Sequence, residues 1–313
     1  MTIEKKGVLD TEAFASIRGE RVFVTGVTSP LGVELVRLLV GGGLRVSGLV
    51  RDRYRAKNLL EKVEIIEGGC EEPDDYREPL QASAYVIHLA GMHLASWIVG
   101  ACAGHDRLTR VLFISSTRVL FPDRLLSREE VSIKKILLEK EAEVSSSPLP
   151  WTILRPTLIF SPGDRSLSKL KKFMETKRYF PVPGSGRAVR QPISAMDLSE
   201  SLVKALIAPA ARQKIYNVPG RDVTVHEMLQ TMALKTEKNV HFIHVPRMPV
   251  AVLKRGCSIL GFARRSSSLI RFLRWYEDLC FSGEAAWGDF GHSPRSFEEN
   301  IREQFHEHVL SNT

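Results

Sequence analysis

Residues 25–32 read Thr-Gly-Val-Thr-Ser-Pro-Leu-Gly and separate a strand-like run over 21–25 from a helical pattern over 31–40. Glycines at both ends of such a stretch permit a tight turn and close packing of the helix on the sheet. Backbone N–H groups at a helix N-terminus favour a negatively charged group, so the stretch predicts a turn that binds the pyrophosphate of a dinucleotide. An ordinary capped turn is the alternative. The residues expected to contact the pyrophosphate are Gly26, Thr28, Ser29, Pro30, Leu31 and Gly32, with Ser29 at the usual middle-glycine position.

Strands and helices alternate on either side of this turn. Strand-like runs occur at 21–25, 44–50, 63–66, 84–89, 111–115 and 151–155, and the clearest helical patterns lie at 31–40 and 127–144. This alternation predicts a doubly wound α/β fold of Rossmann type, with helices on both faces of a parallel sheet. We expect an N-terminal extension over 1–18, a dinucleotide-binding domain over 19–160 and a smaller α/β substrate lobe over 161–313. A strand near 213–218 is expected to return to the main sheet, and Gly288, Gly291 and Pro294 predict a loop-rich end.

Composition narrows the class of protein. The 313 residues are 43% hydrophobic and 26% charged, which excludes a disordered, fibrous or coiled-coil chain. The net charge of +8 fits an anionic ligand, but no nucleic-acid recognition motif accompanies it, so a nucleic-acid partner is not expected. The four cysteines lack C-x-x-C spacing, which predicts no metal site and a reducing, cytoplasmic location. The uncharged stretch 79–105 is broken by polar residues and glycines, which favours a buried strand and a packed helix over a membrane span.

The residues after the second strand-like run bear on the choice of coenzyme. Arg51 follows the apolar run directly, with Arg53 and Arg55 nearby. At this position an acidic residue binds the adenosine ribose of NAD, whereas a cation binds the 2′-phosphate of NADP. Arginine forms charge-assisted pairs with phosphate, so NADP is the preferred coenzyme. Asp52 keeps NAD open as the alternative.

Several further motifs resemble those of the extended short-chain dehydrogenase/reductase superfamily, in particular its NAD-dependent epimerase/dehydratase branch. Besides the turn at 25–32, the matching segments are His-Leu-Ala-Gly at 88–91, Ile-Ser-Ser-Thr at 114–117, Leu-Arg-Pro-Thr at 154–157, Arg-Gln-Pro-Ile-Ser-Ala-Met-Asp at 190–197 and Tyr-Asn-Val-Pro-Gly at 216–220. The order and spacing of these segments make the resemblance specific. It implies coenzyme contacts from Leu89, Ala90, Gly91, Pro156 and Thr157.

The same resemblance implies catalysis by a Ser or Thr, a Tyr, and a Lys four residues after the Tyr on one helix face. Ser116 takes the Ser/Thr position with Thr117 beside it, and Lys135 takes the Lys position and is expected to hold the nicotinamide ribose. Glu139 then takes the position of a glutamate that the family carries four residues after the Lys. Val131 then stands where the Tyr is expected, and loss of a positioned acid/base lowers rates about 10²–10⁴-fold. Three interpretations stay open: a coenzyme-binding protein without redox chemistry, an enzyme that uses Ser116, Thr117 or a His of the substrate lobe, or a different helix register.

The substrate lobe carries two arginines of interest. Resemblance to sugar-nucleotide enzymes implies that Arg190 contacts a nucleotide diphosphate, with Arg187 nearby, and an exposed basic loop is the alternative. Residues 245–281 mix apolar residues with arginines, which predicts either packed helices or a peripheral contact with an anionic membrane. A homodimer also stays open. The sequence thus predicts an NAD(P)-dependent oxidoreductase, epimerase or dehydratase acting on a nucleotide-sugar or similar polar metabolite. The rival is a non-catalytic NADP(H)-binding redox sensor, regulatory or assembly protein.

Overall fold

Seven parallel strands form the central sheet. The computed structural model describes residues 14–59, 63–161, 172–234, 236, 239–246 and 267–310. The strands of the sheet are β1 (Arg21–Thr25), β2 (Arg45–Val50), β3 (Glu64–Glu67), β4 (Tyr85–His88), β5 (Arg110–Ile114), β6 (Trp151–Pro156) and β11 (Lys214–Val218). They are arranged in the order β11-β6-β5-β4-β1-β2-β3, and every neighbouring pair is parallel. The predicted doubly wound α/β fold is therefore confirmed.

Helices cover both faces of this sheet. They are α1 (Pro30–Gly41), α2 (Pro73–Gln81), α3 (Ala95–Ala101), α4 (Arg128–Ser145) and α5 (Ala195–Ile207). Successive side chains of a strand point to opposite faces. Accordingly, Val22 and Val24 pack in one apolar cluster with α1 and α5, whereas Phe23 packs in the other with α2, α3 and α4. The central strands are therefore buried on both faces, whereas the edge strands β3 and β11 are partly exposed. The polar residues Thr25 and His88 lie at the carboxyl ends of β1 and β4.

The start of α4 is fixed by a reciprocal cap. The Ser127 hydroxyl accepts the Glu130 N–H at 3.3 Å, and the Glu130 carboxylate accepts the Ser127 N–H at 2.9 Å. This capping box satisfies two backbone donors at the first turn. It also sets the rotation of the helix that carries Val131 and Lys135.

The second half adds short strands and further helices. The strands are β7 (Ile159–Phe160), β8 (Tyr179–Pro183), β9 (Val189–Arg190), β10 (Ile193–Ser194), β12 (Val223–Thr224) and β13 (His241–Val245), and the helices are α6 (Val225–Ala233), α7 (Ser267–Arg274), α8 (Glu284–Phe290) and α9 (Phe297–Leu310). Strand β13 pairs with β8 and β12 with β9, and a third apolar cluster includes Phe180, Met228 and Phe297. We call the part built on this cluster the second lobe.

The predicted loop-rich end is confirmed for residues 291–296, which include Gly291 and Pro294 and lie outside helices and strands, but it is wrong for Gly288. Gly288 lies inside α8, and α9 follows after the turn at Gly291, whose φ of +68° ends α8. Helix α8 forms despite its glycine because Ala286 and Phe290 are buried against the main apolar cluster. Tertiary packing of this kind overrides the weak helix propensity of one glycine.

The predicted membrane contact falls on a segment that the structure describes only in part. Residues 247–266, which are most of the segment 245–281, lie outside the described residues. Within the part of the chain that is described, no helix is both long and apolar enough to cross a bilayer. The same part contains no group of three His, Cys, Asp or Glu side chains that could hold a metal ion.

Candidate functional site

The turn between β1 and α1 brings bare backbone close together. Gly26 has a φ of +72°, and a Cβ atom there would lie 3.0 Å from the Ala90 nitrogen. A Cβ atom on Gly32 would lie 2.7 Å from two backbone atoms of Val27 and closer still to the Gly26 oxygen. Both positions therefore need glycine, as the sequence predicts for a turn on which a helix packs closely.

Ser29 caps the helix that begins in this turn. Its hydroxyl accepts the Gly32 N–H at 3.0 Å and donates to the Gly26 oxygen at 2.8 Å. Pro30 is exposed and has no N–H, and no hydrogen bond within the described residues uses the N–H of Leu31. Thr28 is half-buried beside this helix start. The turn thus leaves a backbone donor at the positive end of the α1 dipole, which is the arrangement that binds phosphate groups.

The strand order of the sheet reverses between β1 and β4, and a hydrogen-bond network joins the two strands there. Thr25 and His88 are register partners, with the Thr25 hydroxyl 2.8 Å from His88 Nδ1. The Thr25 hydroxyl oxygen accepts the N–H groups of Leu89 and Ala90 at 3.2 and 3.3 Å. The hydroxyl proton is therefore donated to His88 Nδ1. His88 Nε2 then donates to the Gly91 oxygen at 2.9 Å. Burial lowers the pKa of His88 to about 4, which keeps the ring neutral.

This network was not foreseen from the sequence, although both residues stand at the ends of predicted strands. It fixes the His-Leu-Ala-Gly segment against the turn at Gly26. Leu89, Ala90 and Gly91 are half-buried, and the φ of Gly91 is +116°. In open α/β sheets, ligands bind at the carboxyl edge where the strand order reverses. The residues predicted from the two segments therefore meet at one crevice.

The cleft beyond β2 is mixed in charge. Arg51 is exposed there, and Asp52 accepts the Tyr54 N–H at 2.9 Å, so one Asp52 oxygen is used in its own turn. The cleft is lined by Arg51, Glu67, Gly68, Gly69, Glu71, Glu72 and Asp75. The cleft thus holds four carboxylates and one guanidinium. The prediction from Arg51, Arg53 and Arg55 did not include these carboxylates.

Three hydroxyl residues follow β5 and differ in their hydrogen bonds. Ser116 is half-buried, and its oxygen accepts the Arg118 N–H at 3.2 Å, which leaves its proton free to donate. Thr117 is buried and donates to the oxygen of Pro156, itself buried, at 3.2 Å. Ser115 is buried, and its hydroxyl has no hydrogen-bond partner within the described residues. An unsatisfied buried hydroxyl costs about 1–3 kcal/mol, a cost that a bound polar group would remove.

Helix α4 presents no phenol to this edge. Val131 is half-buried and Lys135 is exposed. The neighbouring Lys134 amine donates to the Phe121 oxygen and to Asp123, both at 2.8 Å, and so holds the turns that follow Ser116. Lys135 is the amine of this helix segment that stays available to a ligand.

A buried ion pair bears on the helix register. The carboxylate of Glu141, not that of the exposed Glu139, receives both the Arg155 Nε–H, at 2.9 Å, and an Arg155 Nη–H. If Glu141 is the glutamate of the motif, the Lys position, four residues earlier, is Leu137, and the Tyr position, eight residues earlier, is Ile133. Neither register supplies a phenol, and the placement of the Tyr position at Val131 stays a prediction.

The second-lobe arginines have different surroundings. The Arg190 guanidinium donates to the Arg274 oxygen at 2.7 Å and to the Glu277 oxygen at 2.6 Å, whereas Arg187 is exposed. Thr157, which follows β6, donates to the oxygen of Gln191 and accepts the Gly220 N–H at 3.3 Å. Thr157 thereby links the crevice to the loop that carries Arg190.

These residues fit a dinucleotide coenzyme. The turn at Gly26 and Gly32 excludes side chains where a pyrophosphate would approach, and the Leu31 N–H faces that position without a partner among the described residues. The unpartnered hydroxyl of Ser115 lies at the end of β5, farther along the same edge. An extended ligand that crosses the carboxyl edge could meet the Leu31 N–H, whereas the Ser115 hydroxyl is shielded from the surface.

Comparisons with known proteins agree with this geometry. A family model described as NAD(P)H-binding matches residues 26–206. Subunit 9 of the 1 alpha subcomplex of mitochondrial NADH dehydrogenase [ubiquinone] from Arabidopsis thaliana is 25% identical over 261 residues, which are 76% of this chain and 63% of that protein. This chain therefore spans less than two thirds of that relative's length. A 2-alkyl-3-oxoalkanoate reductase of Stenotrophomonas maltophilia is 26% identical, over 90% of this chain and 97% of that protein.

Solved structures show the same fold. An epimerase of Methanothermobacter thermautotrophicus superposes with a TM-score of 0.74 at 17% identity and covers 96% of this chain and 95% of its own. The family model spans more than half of the chain and contains residues 26–32 of the turn, the His-Leu-Ala-Gly segment and Ser116. The chain belongs to this NAD(P)H-binding family, with the fold of epimerase/dehydratase-like extended short-chain dehydrogenases.

Proposed function

We propose that the protein is an NAD(P)(H)-dependent oxidoreductase, epimerase or dehydratase that acts on a small polar metabolite. The observation that carries this proposal is the backbone cradle of Gly26 and Gly32 at the N-terminus of α1, next to the point where the strand order reverses. Backbone donors at a helix N-terminus suit a pyrophosphate. The end of β5, with Ser116, is the next place along the same edge where a reacting group would lie.

In this proposal each part of the edge has one task. Residues 26 and 28–32 bind the pyrophosphate, residues 89–91 with Pro156 and Thr157 border the nicotinamide, and the exposed Lys135 holds the nicotinamide ribose. The coenzyme, when bound, supplies the hydride acceptor or donor. Ser116 donates its hydroxyl proton as a hydrogen bond to the substrate oxygen, because its own oxygen already accepts the Arg118 N–H. Thr117 is buried and donates to the Pro156 oxygen, so it joins the end of β5 to the end of β6 and does not contact the substrate.

The preferred coenzyme in this proposal is NADP(H), with NAD(H) as the alternative. Arg51 supports NADP(H) because it is a cation at the end of β2. The carboxylates of Glu67, Glu71, Glu72 and Asp75 in the same cleft repel a 2′-phosphate and support NAD(H). Replacement of Arg51 decides between the two.

A nucleotide-sugar is the substrate class that the sequence favours. Arg187 is exposed on the loop before β9 and is free to meet a diphosphate, since no ion pair or hydrogen bond of its guanidinium occurs within the described residues. Arg190 supports this class less well, because its guanidinium already donates to backbone oxygens of the chain. The reductase relative, which spans nearly all of this chain, supports a broader class of carbonyl-containing metabolites.

The second candidate function is non-catalytic coenzyme binding by a sensor or assembly protein. The specific observation in its favour is that α4 carries Val131 or Ile133, not a tyrosine, at either register of the motif. The plant relative, whose name marks it as a subunit of NADH dehydrogenase, supports the same possibility.

Calorimetric titration of the full chain with NADPH and NADH tests the cradle, and nicotinamide absorbance with a panel of sugar nucleotides and carbonyl compounds then tests turnover. The first proposal expects coenzyme binding together with consumption or regeneration of the coenzyme. Binding with no turnover in the wild-type chain, followed by turnover in Val131→Tyr, would favour the non-catalytic candidate. Failure of both coenzymes to bind at millimolar concentration would overturn both candidates.

A further inference from the structure

Residues 274–281, which we call the strap, run between the second lobe and the turns that follow Ser116. The strap is hydrogen-bonded to β9 by one backbone bond and one side-chain bond. The Leu279 N–H donates to the Val189 oxygen at 3.1 Å, and the Val189 N–H donates to the Asp278 carboxylate at 2.8 Å. The Gln191 side chain accepts the Phe281 N–H at 2.7 Å and donates to its oxygen at 3.3 Å. The strap is thus attached to the second lobe along its length.

Arg190 is the centre of this attachment. Its guanidinium donates to the oxygens of Val189 and Glu277, both at 2.6 Å, and of Arg274, at 2.7 Å, and it lies 5.6 Å from the centre of the Trp275 ring. Burial lowers the pKa of Arg190 to about 10, still far above neutrality. Three of the five N–H donors of a guanidinium are therefore used inside the chain. A diphosphate bound here could use only the two remaining N–H donors unless it displaced these carbonyl oxygens.

The other side of the strap contacts the residues around Ser116 through side chains. The Arg274 guanidinium lies 2.8 Å from the Glu130 carboxylate, with each side chain only 13% exposed, and 5.7 Å from the centre of the Phe121 ring. Phe281 stacks on Phe121 with ring centres 5.7 Å apart and ring planes 3° apart. Phe121 follows Ser116 by five residues, and Glu130 directly precedes Val131. The strap therefore packs on the two elements that border the proposed reaction site.

We propose that Arg190 is a positioning residue: through the strap, it holds the turns after Ser116 and the start of α4 in place, and it does not bind a substrate diphosphate. The inference rests on the proposed function only where it treats the residues around Ser116 as the reaction site. The link from Arg190 through the strap to Phe121 and Glu130 does not depend on that function. Its physical basis is that Arg190 joins two backbone oxygens that lie 84 and 87 residues away in the chain, and the strap carries this fixation to Phe121 and Glu130. A diphosphate-containing substrate would then need Arg187 or another cation.

The test compares Arg190→Gln, Arg190→Lys and Arg274→Gln, with Arg187→Gln as the matched control on the same loop. Amide hydrogen exchange is measured in peptides that cover 117–125 and 274–281, and UDP and both coenzymes are titrated by calorimetry. We expect exchange in both segments to rise about tenfold or more in Arg190→Gln, since hydrogen bonds to a charged group are lost. Arg274→Gln is expected to do the same in 117–125. Arg187→Gln should leave exchange in both segments unchanged.

Arg190→Lys separates positioning from direct binding. One ammonium cannot replace a planar fork that meets three carbonyl oxygens, but it remains a point charge able to bind phosphate. Positioning predicts that Arg190→Lys exchanges like Arg190→Gln, with UDP affinity in all Arg190 variants within twofold of the wild type. A tenfold loss of UDP affinity in Arg190→Gln with wild-type exchange in 274–281 would overturn the proposal.

Two measurements keep the test decisive. If Arg190→Gln does not fold, Arg274→Gln probes the same coupling from the other side, and unchanged exchange in 117–125 overturns it. Coenzyme affinity should stay within twofold in every variant, because no hydrogen bond, ion pair or ring contact joins the turn at Gly26 to the strap within the described residues. Failure of the wild-type chain to bind either coenzyme would overturn the proposed function. The hydrogen-exchange measurements would still test whether Arg190 positions the residues after Ser116 through the strap.

Discussion

Replacing Gly32 by alanine probes the pyrophosphate cradle most directly. The added Cβ atom would lie 2.7 Å from the Val27 Cα and carbonyl carbon, backbone atoms that cannot rotate away, so the turn itself must move. Overpacking of this kind costs about 1–3 kcal/mol, and each kcal/mol lowers Tm by about 2–4 °C in a large domain. Displacement of the Leu31 N–H from the pyrophosphate should also raise the coenzyme Kd about tenfold or more, equivalent to about 1.4 kcal/mol.

Gly41→Ala is the matched control because Gly41 ends the same helix. A Cβ atom there would meet nothing within 4 Å. An alanine in a helix is favoured over glycine by about 0.5–1 kcal/mol, so this variant should unfold at the same temperature or slightly higher and keep its coenzyme affinity. Thermal unfolding by circular dichroism and calorimetric titration with NADH and NADPH give the two readouts. Wild-type coenzyme affinity in Gly32→Ala would refute the assignment of this turn to the pyrophosphate.

Three further predictions follow from other parts of the structure. Burial holds the pKa of His88 at about 4, below its ordinary 6.5, so the unfolded chain is protonated first and stability should fall by about 3 kcal/mol as the pH drops from 6.5 to 4. Urea unfolding at stepped pH measures this loss, and an unchanged pH slope in His88→Gln would contradict it. Glu141→Gln should cost about 3 kcal/mol by leaving the half-buried Arg155 guanidinium without its counter-charge. The exposed Glu139→Gln should change stability by less than about 0.5 kcal/mol, and equal losses by chemical denaturation would rule this out. Arg51→Gln should raise the Kd of NADPH about tenfold and leave that of NADH within about twofold, and a parallel change in both would show that Arg51 does not contact the 2′-phosphate.

Most of the main sheet could be predicted because its central strands, β1, β2, β4, β5 and β6, are buried on both faces. The first predicted strand, residues 21–25, coincides with β1, and the run predicted at 151–155 ends one residue before β6 does. Continuous apolar runs bounded by turn residues carry this signal along the chain. Strands β9 and β12 have two residues each, too few for any periodicity, and their pairing depends on contacts made only in the folded lobe.

The turn at Gly26 was also within reach of the sequence, because its requirement is local. The turn needs a glycine with positive φ at residue 26 and a glycine at residue 32, where the helix packs closely on the turn, and both lie within the eight residues 25–32. The partnership of Thr25 with His88 spans 63 residues and depends on which strands are neighbours. Once the order of strands is assumed, however, both residues fall at the carboxyl ends of adjacent strands, so the pairing could be inferred from the fold.

Arg155 and Arg190 show how far such inference reaches. Both match positions of the resembled family, and the sequence records their charge but not their acceptors. For Arg155 the acceptor lies 14 residues away on α4, where Glu141 shares a helix face with the buried Val144, three residues on, and Glu139 does not. Helical periodicity alone therefore favours Glu141 as the buried partner. For Arg190 the acceptors are backbone oxygens, which every residue carries, and two of the three lie in a segment more than 80 residues later. No pattern of side chains marks those oxygens, so whether a motif arginine faces a ligand or its own chain is decided by the path of the backbone.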